Sequence, residues 1–179
     1  MSRAVALVRG INVGGHRKVP MADLRRSFAA IGCTDVETYL QSGNVVFETR
    51  GLRLPDLPAA IEHRVAADFA TEVSVLVRTG AEMARLERAN PFRPEGADVS
   101  TLHVTFLVDR PKPASVRALE QRAGTPDAFV VRGREVFLHC PGGYGTTKLT
   151  NGFFERHLGV TATTRNWRTV TQLCELTKT

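Results

Sequence analysis

Apolar and polar positions along this chain follow two periods, and the switches between them lay out its elements in order. Residues 4–8, AVALV, form a short buried-strand run closed by Arg9 and Gly10. Pro20 then opens a helix with Met21, Leu24, Phe28 and Ile31 on one face, and Gly32 stands where a C-terminal cap belongs. VETYL (36–40) and NVVFET (44–49) read as strands joined by a tight turn at QSGN, residues 41–44. Leu54, Leu57, Ile61, Val65 and Phe69 make a second helical stripe, and VSVLVR at 73–78 is a β-branched strand. The order βαββαβ is the ferredoxin-like pattern.

A link follows. Thr79 and Glu82 form a capping box for a short helix carrying Met83 and Leu86, which NPFRPEG at 90–96 ends. The second half then repeats the order of the first. LHVTFLV (102–108) is a strand, and Pro113 opens a helix with Val116 and Leu119 inward and Gly124 at its close. AFVV and EVFLHC are strands turning at Arg132, Gly133 and Arg134. The loop PGGYG precedes a helix over TKLTNGFFERHLG, with Thr146 or Thr147 as its cap and Lys148 in its first turn. TATTR (161–165) is a last strand. Asn166 caps a closing helix whose inner face is Trp167, Val170, Leu173, Cys174 and Thr177. The expected fold is α+β, with two ferredoxin-like halves. The divisions fall at 1–78, at a linking helix and loop 79–100, and at 101–179 with the C-terminal helix.

Composition narrows the class. Of 179 residues, 42% are hydrophobic and 23% charged, as in soluble globular chains. Cys33, Cys140 and Cys174 have no metal-ligand spacing, and an odd number argues against a disulfide framework, so a reducing cytoplasm is expected. No apolar stretch is long enough to span a bilayer, and the first run reaches Arg9 too soon for a signal peptide. The net charge is +6, with the excess in 1–50 and 101–179 rather than in one tail. Two readings fit: an anionic partner (a small molecule or nucleic acid), or an arginine-rich composition with no functional meaning.

The chemistry-bearing clusters lie at element ends. In RGINVGGHRK, Gly10 and Gly15 have the spacing that begins a P-loop, but His16 and Arg17 stand where lysine and a hydroxyl residue are needed. No nucleotide cofactor is therefore read from it. Gly14 and Gly15 permit backbone N–H groups to cup an anion, with charge from Arg9, His16, Arg17 and Lys18; a solvated basic loop explains the same residues. QSGN is first a turn. PGGYGTTK offers Tyr144, Lys148 and a helix N-terminus to an anion, or is a surface loop with a capping threonine. In TTRNWR, Arg165 and Arg168 flank Asn166 and Trp167. The arginines suit phosphate or carboxylate, while the lone tryptophan is better read as core. The five histidines lie on different elements without metal spacing, and no paired carboxylates stand out, so neither a metal nor catalytic residues are assigned.

Taken together, LVRGINVGGHRKVPMADLR, YLQSGNVVFE, ERANPFRP and TATTRNWRTVTQLCEL resemble the bacterial domain of unknown function family 1697, from about Arg3 to Leu176. That resemblance implies a small cytosolic α+β protein on ferredoxin-like elements, without an established activity. It also selects motif positions rich in polar residues. From these the expected ligand-binding set is Arg9, Asn12, Gly14, Gly15, Lys18, Ser42, Gly43, Asn44, Lys148, Thr164, Arg165, Asn166 and Trp167. The cations would meet a phosphate-bearing or other anionic ligand, and the amides and hydroxyls would orient it. Two alternatives remain beside this: an enzyme acting on an anionic small molecule without a tightly bound metal, and a scaffold whose polar motifs are structural.

Overall fold

The computed structural model describes residues 2–12, 18–93, 96–120 and 126–178. The chain divides into two units, Met1–Leu86 with Leu173–Thr179, and Glu87–Gln172.

In the first unit, β1 (Arg3–Arg9), α1 (Met21–Ala30), β2 (Thr34–Tyr39), β3 (Asn44–Glu48), α2 (Leu57–Phe69) and β4 (Ser74–Thr79) follow in order. The sheet order is β2-β3-β1-β4, with every neighbouring pair antiparallel. This is the ferredoxin-like βαββαβ arrangement that the hydrophobic periods predict. Alternation within the strands sends Ala4, Ala6, Val8, Val45, Phe47 and Val75 to one core. Leu24 and Phe28 of α1 and Leu57, Ile61 and Val65 of α2 fill that core from the helices. Phe28 and Phe47 meet with ring centroids 5.6 Å apart. Burying each of these large side chains contributes about 1.5–3 kcal/mol.

The opposite face of the sheet, with Val5, Leu7, Val46 and Leu76, is buried as well. Edge strand β2 is blunted by a bulge between Thr34 and Glu37. Its acids hold Arg3, whose Nη2 lies 3.0 Å from Asp35 Oδ2 and 2.8 Å from Glu37 Oε1. Helix α3 (Gly80–Ala89) begins with the predicted capping box. Glu82 Oε2 accepts from Thr79 N at 2.8 Å, and Thr79 Oγ1 accepts from Glu82 N at 3.2 Å.

The second unit runs β5 (Leu102–Leu107), α4 (Pro113–Glu120), β6 (Ala128–Arg132), β7 (Glu135–His139), α5 (Asn151–Leu158) and β8 (Ala162–Asn166). Its sheet order, β6-β7-β5-β8, repeats that of the first unit, again antiparallel throughout. Leu107, Leu119, Val136, Leu138, Phe154 and Leu158 form its core. Val104, Phe106 and Phe137 are buried on the other face. Helix α6 (Trp167–Leu176) is capped as expected, Asn166 Oδ1 accepting from Thr169 N at 2.8 Å. Its expected inner face, Trp167 to Thr177, is buried.

The start of α5 differs from the sequence expectation. The helix begins at Asn151, not near Thr147, and its cap is Thr150, whose Oγ1 accepts from Phe153 N at 3.2 Å. Thr147 is diverted elsewhere. Its hydroxyl donates to Asp127 Oδ2 at 2.5 Å and accepts from Leu149 N at 3.1 Å. A side chain tied to its own backbone two residues on competes with helix formation. Lys148 is therefore exposed ahead of the helix and not in its first turn. No helix among the described residues is long and apolar enough to cross a membrane.

Candidate functional site

In the first unit, the end of β1 and the β2–β3 turn form one polar framework. Backbone dihedrals set it up: Gly10 (φ 80°), Asn12 (φ 56°), Leu40 (φ 58°) and Gly43 (φ 74°) all lie in the left-handed region. Asn12 Nδ2 donates to Val19 O and Gln41 O, both at 3.0 Å, and its Oδ1 accepts from Val19 N at 2.9 Å. One side chain thus closes the neck of its own loop and ties it to the neighbouring turn. Gly43 O accepts from Val8 N at 2.8 Å. A Cβ at Gly43 would lie 2.6 Å from Val8 O, so the approach requires glycine. Asn44 is buried, and its Nδ2 donates to Tyr39 O at 3.0 Å and to Ser42 Oγ at 2.8 Å.

Around this framework stand the cations. Arg9 pairs with Ser74 in the sheet register. Arg9, Gly10, Glu72, Val73 and Ser74 line a cleft of about 460 Å³. Lys18 is exposed beside Val19, whose backbone Asn12 holds. Gly14, Gly15, His16 and Arg17 lie outside the described residues, as does Gly124.

In the second unit, the glycine-rich loop meets β8. Tyr144 stacks on His103 with centroids 4.7 Å apart. Burial pushes the Tyr144 phenol above its ordinary value, against a hydrogen bond with Thr164. Thr164 Oγ1 donates to Asn151 Oδ1 at 2.7 Å and lies 2.7 Å from Thr105 Oγ1. Burial also holds the His103 imidazole below its ordinary range. Arg165 Nη1 donates to Thr163 Oγ1 and Thr164 O, both at 2.9 Å. Although part of its surface is exposed, desolvation draws its guanidinium down to about 10, which leaves it charged at neutral pH. Trp167 is 2% exposed, so its ring is core, as the sequence reading favours, and the Arg93 guanidinium carbon lies 6.0 Å from its centroid.

Among the described residues no group of three or more His, Cys, Asp or Glu could hold a metal ion. Burial pushes the Cys33 thiol up to about 11 and the Cys140 thiol in the same direction, so neither is a ready thiolate. Sequence reasoning missed Arg78, which is 1% exposed in β4, opposite Val5. Its position two residues after Leu76 puts it on the same strand face, the one signal that pointed there. It also missed Leu40, which no periodicity marks as left-handed.

No curated protein matches this chain. A similar solved structure is that of the conserved bacterial protein SP0830 from Streptococcus pneumoniae. It is 24% identical, 99% of each chain is covered, and the TM-score is 0.78, a likeness of fold. The family model described as "Protein of unknown function (DUF1697)" matches residues 1–137, a span that contains both loops of the first unit's framework, and the chain belongs to that family.

Proposed function

We propose that this protein binds a phosphate-bearing or other anionic ligand at the end of the first unit's sheet, through Arg9 and Lys18. The observation that carries the reading is the left-handed framework beneath them. Asn12 and Leu40 sit in a backbone region that costs a non-glycine residue on the order of 1–2 kcal/mol. Strain of that kind persists where surrounding structure over-determines it, and it collects at binding sites. An amide NH2 has two donors, and both are used within the protein at Asn12 and at Asn44. These asparagines therefore position the loops and leave ligand contact to the cations. A small ligand is favoured over nucleic acid. Ferredoxin-like RNA binders stack bases on an open sheet face, whereas Val5, Leu7 and Val46 here, and Val104, Phe106 and Phe137 in the second unit, are buried.

The test is a thermal-shift panel of nucleotides, sugar phosphates, inorganic anions and short oligonucleotides. A ligand at 100 times its Kd adds about 2.7 kcal/mol, roughly 5–10 °C for a chain of this size. Arg9→Ala and Lys18→Ala should remove that shift. A second reading, that the polar motifs serve only to hold each unit together, draws on the same saturated amides and on the Thr105–Thr164–Asn151 chain. Under it, no member of the panel shifts the melt.

A further inference from the structure

We infer that the second unit carries a binding site for an uncharged carboxamide or lactam, built on His103, Tyr144 and Asn166 at one end of its sheet; it stands apart from the anion reading above. The first observation is His103. Its side chain lies on the helix side of the sheet, the residue is 7% exposed, and Nδ1 is 3.4 Å from Thr101 O. A carbonyl only accepts, so in the neutral ring Nδ1 carries the proton and Nε2 is an acceptor. Burial favours that neutral form. Among the described residues, Nε2 has no hydrogen-bond partner. An unpaired polar atom on a side chain buried this far is costly to folding, and it favours a ligand that brings a donor.

The second observation is what the register sets beside that ring. His103 and Asn166 are cross-strand partners in β5 and β8, on the face that Leu107 and Ala162 give to the core. Side chains directly opposite each other have Cβ atoms about 4.5–5.5 Å apart, so both reach one small group. Asn166 is exposed; its Oδ1 caps α6, and its NH2 group bonds nothing among the described residues. An acceptor and an amide donor thus stand side by side, the complement of a CO–NH group. Neither carries a charge at neutral pH, and the Nε2 lone pair disfavours a carboxylate. Tyr144 stacks on His103 with ring planes 25° apart, and its phenol bonds Thr164, which is tied to Thr105 and Asn151. That chain of bonds fixes the stacked rings from within the fold.

The experiment is an NMR titration of nicotinamide, uracil and benzoate into the wild type, Asn166→Asp and His103→Phe proteins. It follows the Tyr144 and Thr164 backbone amides in all three and the His103 ring nitrogens where they are present. Nicotinamide and uracil should move these signals in the wild type, and benzoate should bind there at least roughly tenfold more weakly. Asn166→Asp keeps the cap on Thr169 N, since aspartate accepts as well as asparagine does, but it loses the donors. It should leave the melting temperature unchanged and weaken both neutral probes by roughly tenfold. His103→Phe keeps a ring against Tyr144 and removes Nε2, and it should weaken them by a similar factor. Benzoate binding as tightly as nicotinamide, full affinity in either variant, or no response to any probe would each overturn the inference. The anion site of the first unit would stand or fall separately, because these signals report only the second unit.

Discussion

The close approach of the β2–β3 turn to β1 gives the sharpest stability prediction. Gly43 and Gly51 share nearly the same backbone conformation, φ 74° and φ 76°. They differ in surroundings. A Cβ at Gly43 would meet Val8 O at 2.6 Å, Val8 Cβ at 3.0 Å and Ile11 Cδ1 at 3.1 Å, while one at Gly51 meets nothing within 4 Å. Alanine at either site incurs the left-handed penalty, about 1–2 kcal/mol. At Gly43 the backbone must also yield, because the nearest atom is a carbonyl oxygen and not the end of a flexible side chain. Overpacking of this kind costs about 1–3 kcal/mol more and disturbs the Val8–Gly43 hydrogen bond. Gly43→Ala should therefore lose about 2–5 kcal/mol, and Gly51→Ala about 1–2 kcal/mol. Urea titration followed by circular dichroism, fitted to the transition that reports the first unit, measures both. Equal losses, within about 0.5 kcal/mol, would refute the crowding argument and leave only the shared dihedral.

Three further outcomes follow from the same geometry. Asn12→Gly keeps the backbone free to adopt φ 56° but removes three hydrogen bonds. It should cost about 1–3 kcal/mol, with faster amide exchange at Val19 as its local signature. His103 is held below its ordinary value of 6.5 by burial, so the unfolded chain takes up the proton first as pH falls. Its contribution is full above about pH 6.5 and is lost below it, and chemical denaturation at pH 7.5 and pH 5 should show a smaller acid-side loss in His103→Phe, which keeps a ring against Tyr144. Cys33, Cys140 and Cys174 are all buried, and at pH 8 the Cys33 thiol, pushed up to about 11, is ionised in roughly one molecule in a thousand. A thiol-specific chromogenic reagent should label none of them in the native protein and all of them in denaturant.

The fold was legible because its determinants are local. The two hydrophobic periods place the strands and helices, and the Thr79–Glu82 box and the Asn166 cap are short-range bonds that sequence spacing reveals. The misplaced start of α5 has the opposite origin. Thr147 is a good cap by type, but its hydroxyl is taken by Asp127, a partner distant in the chain that no local pattern exposes. The framework residues were legible as a set, and the bonds they make within the fold were not. Asn12 and Asn44 stand out by residue type, and type alone suggests ligand contact. Only the positions of Val19, Gln41, Tyr39 and Ser42 reveal that their donors are already used. Gly43 reads in the sequence as an ordinary turn glycine, and the Val8 carbonyl behind it is tertiary information.

That division separates two kinds of motif residue within one loop pair. A side chain whose donors are met inside the fold fixes where its neighbours stand. Asn12 and Asn44 belong to this kind, and changing them should damage stability before affinity. Arg9 and Lys18, the cations of the proposed site, are the other kind, the residues that such a framework places. Neither belongs to the core that Ala4, Ala6, Val8 and Phe47 build on the helix side of the sheet. We read the end of β1 as a rigid support, made of amides bonded within the fold and one obligatory glycine, beneath the cations through which a ligand is proposed to bind.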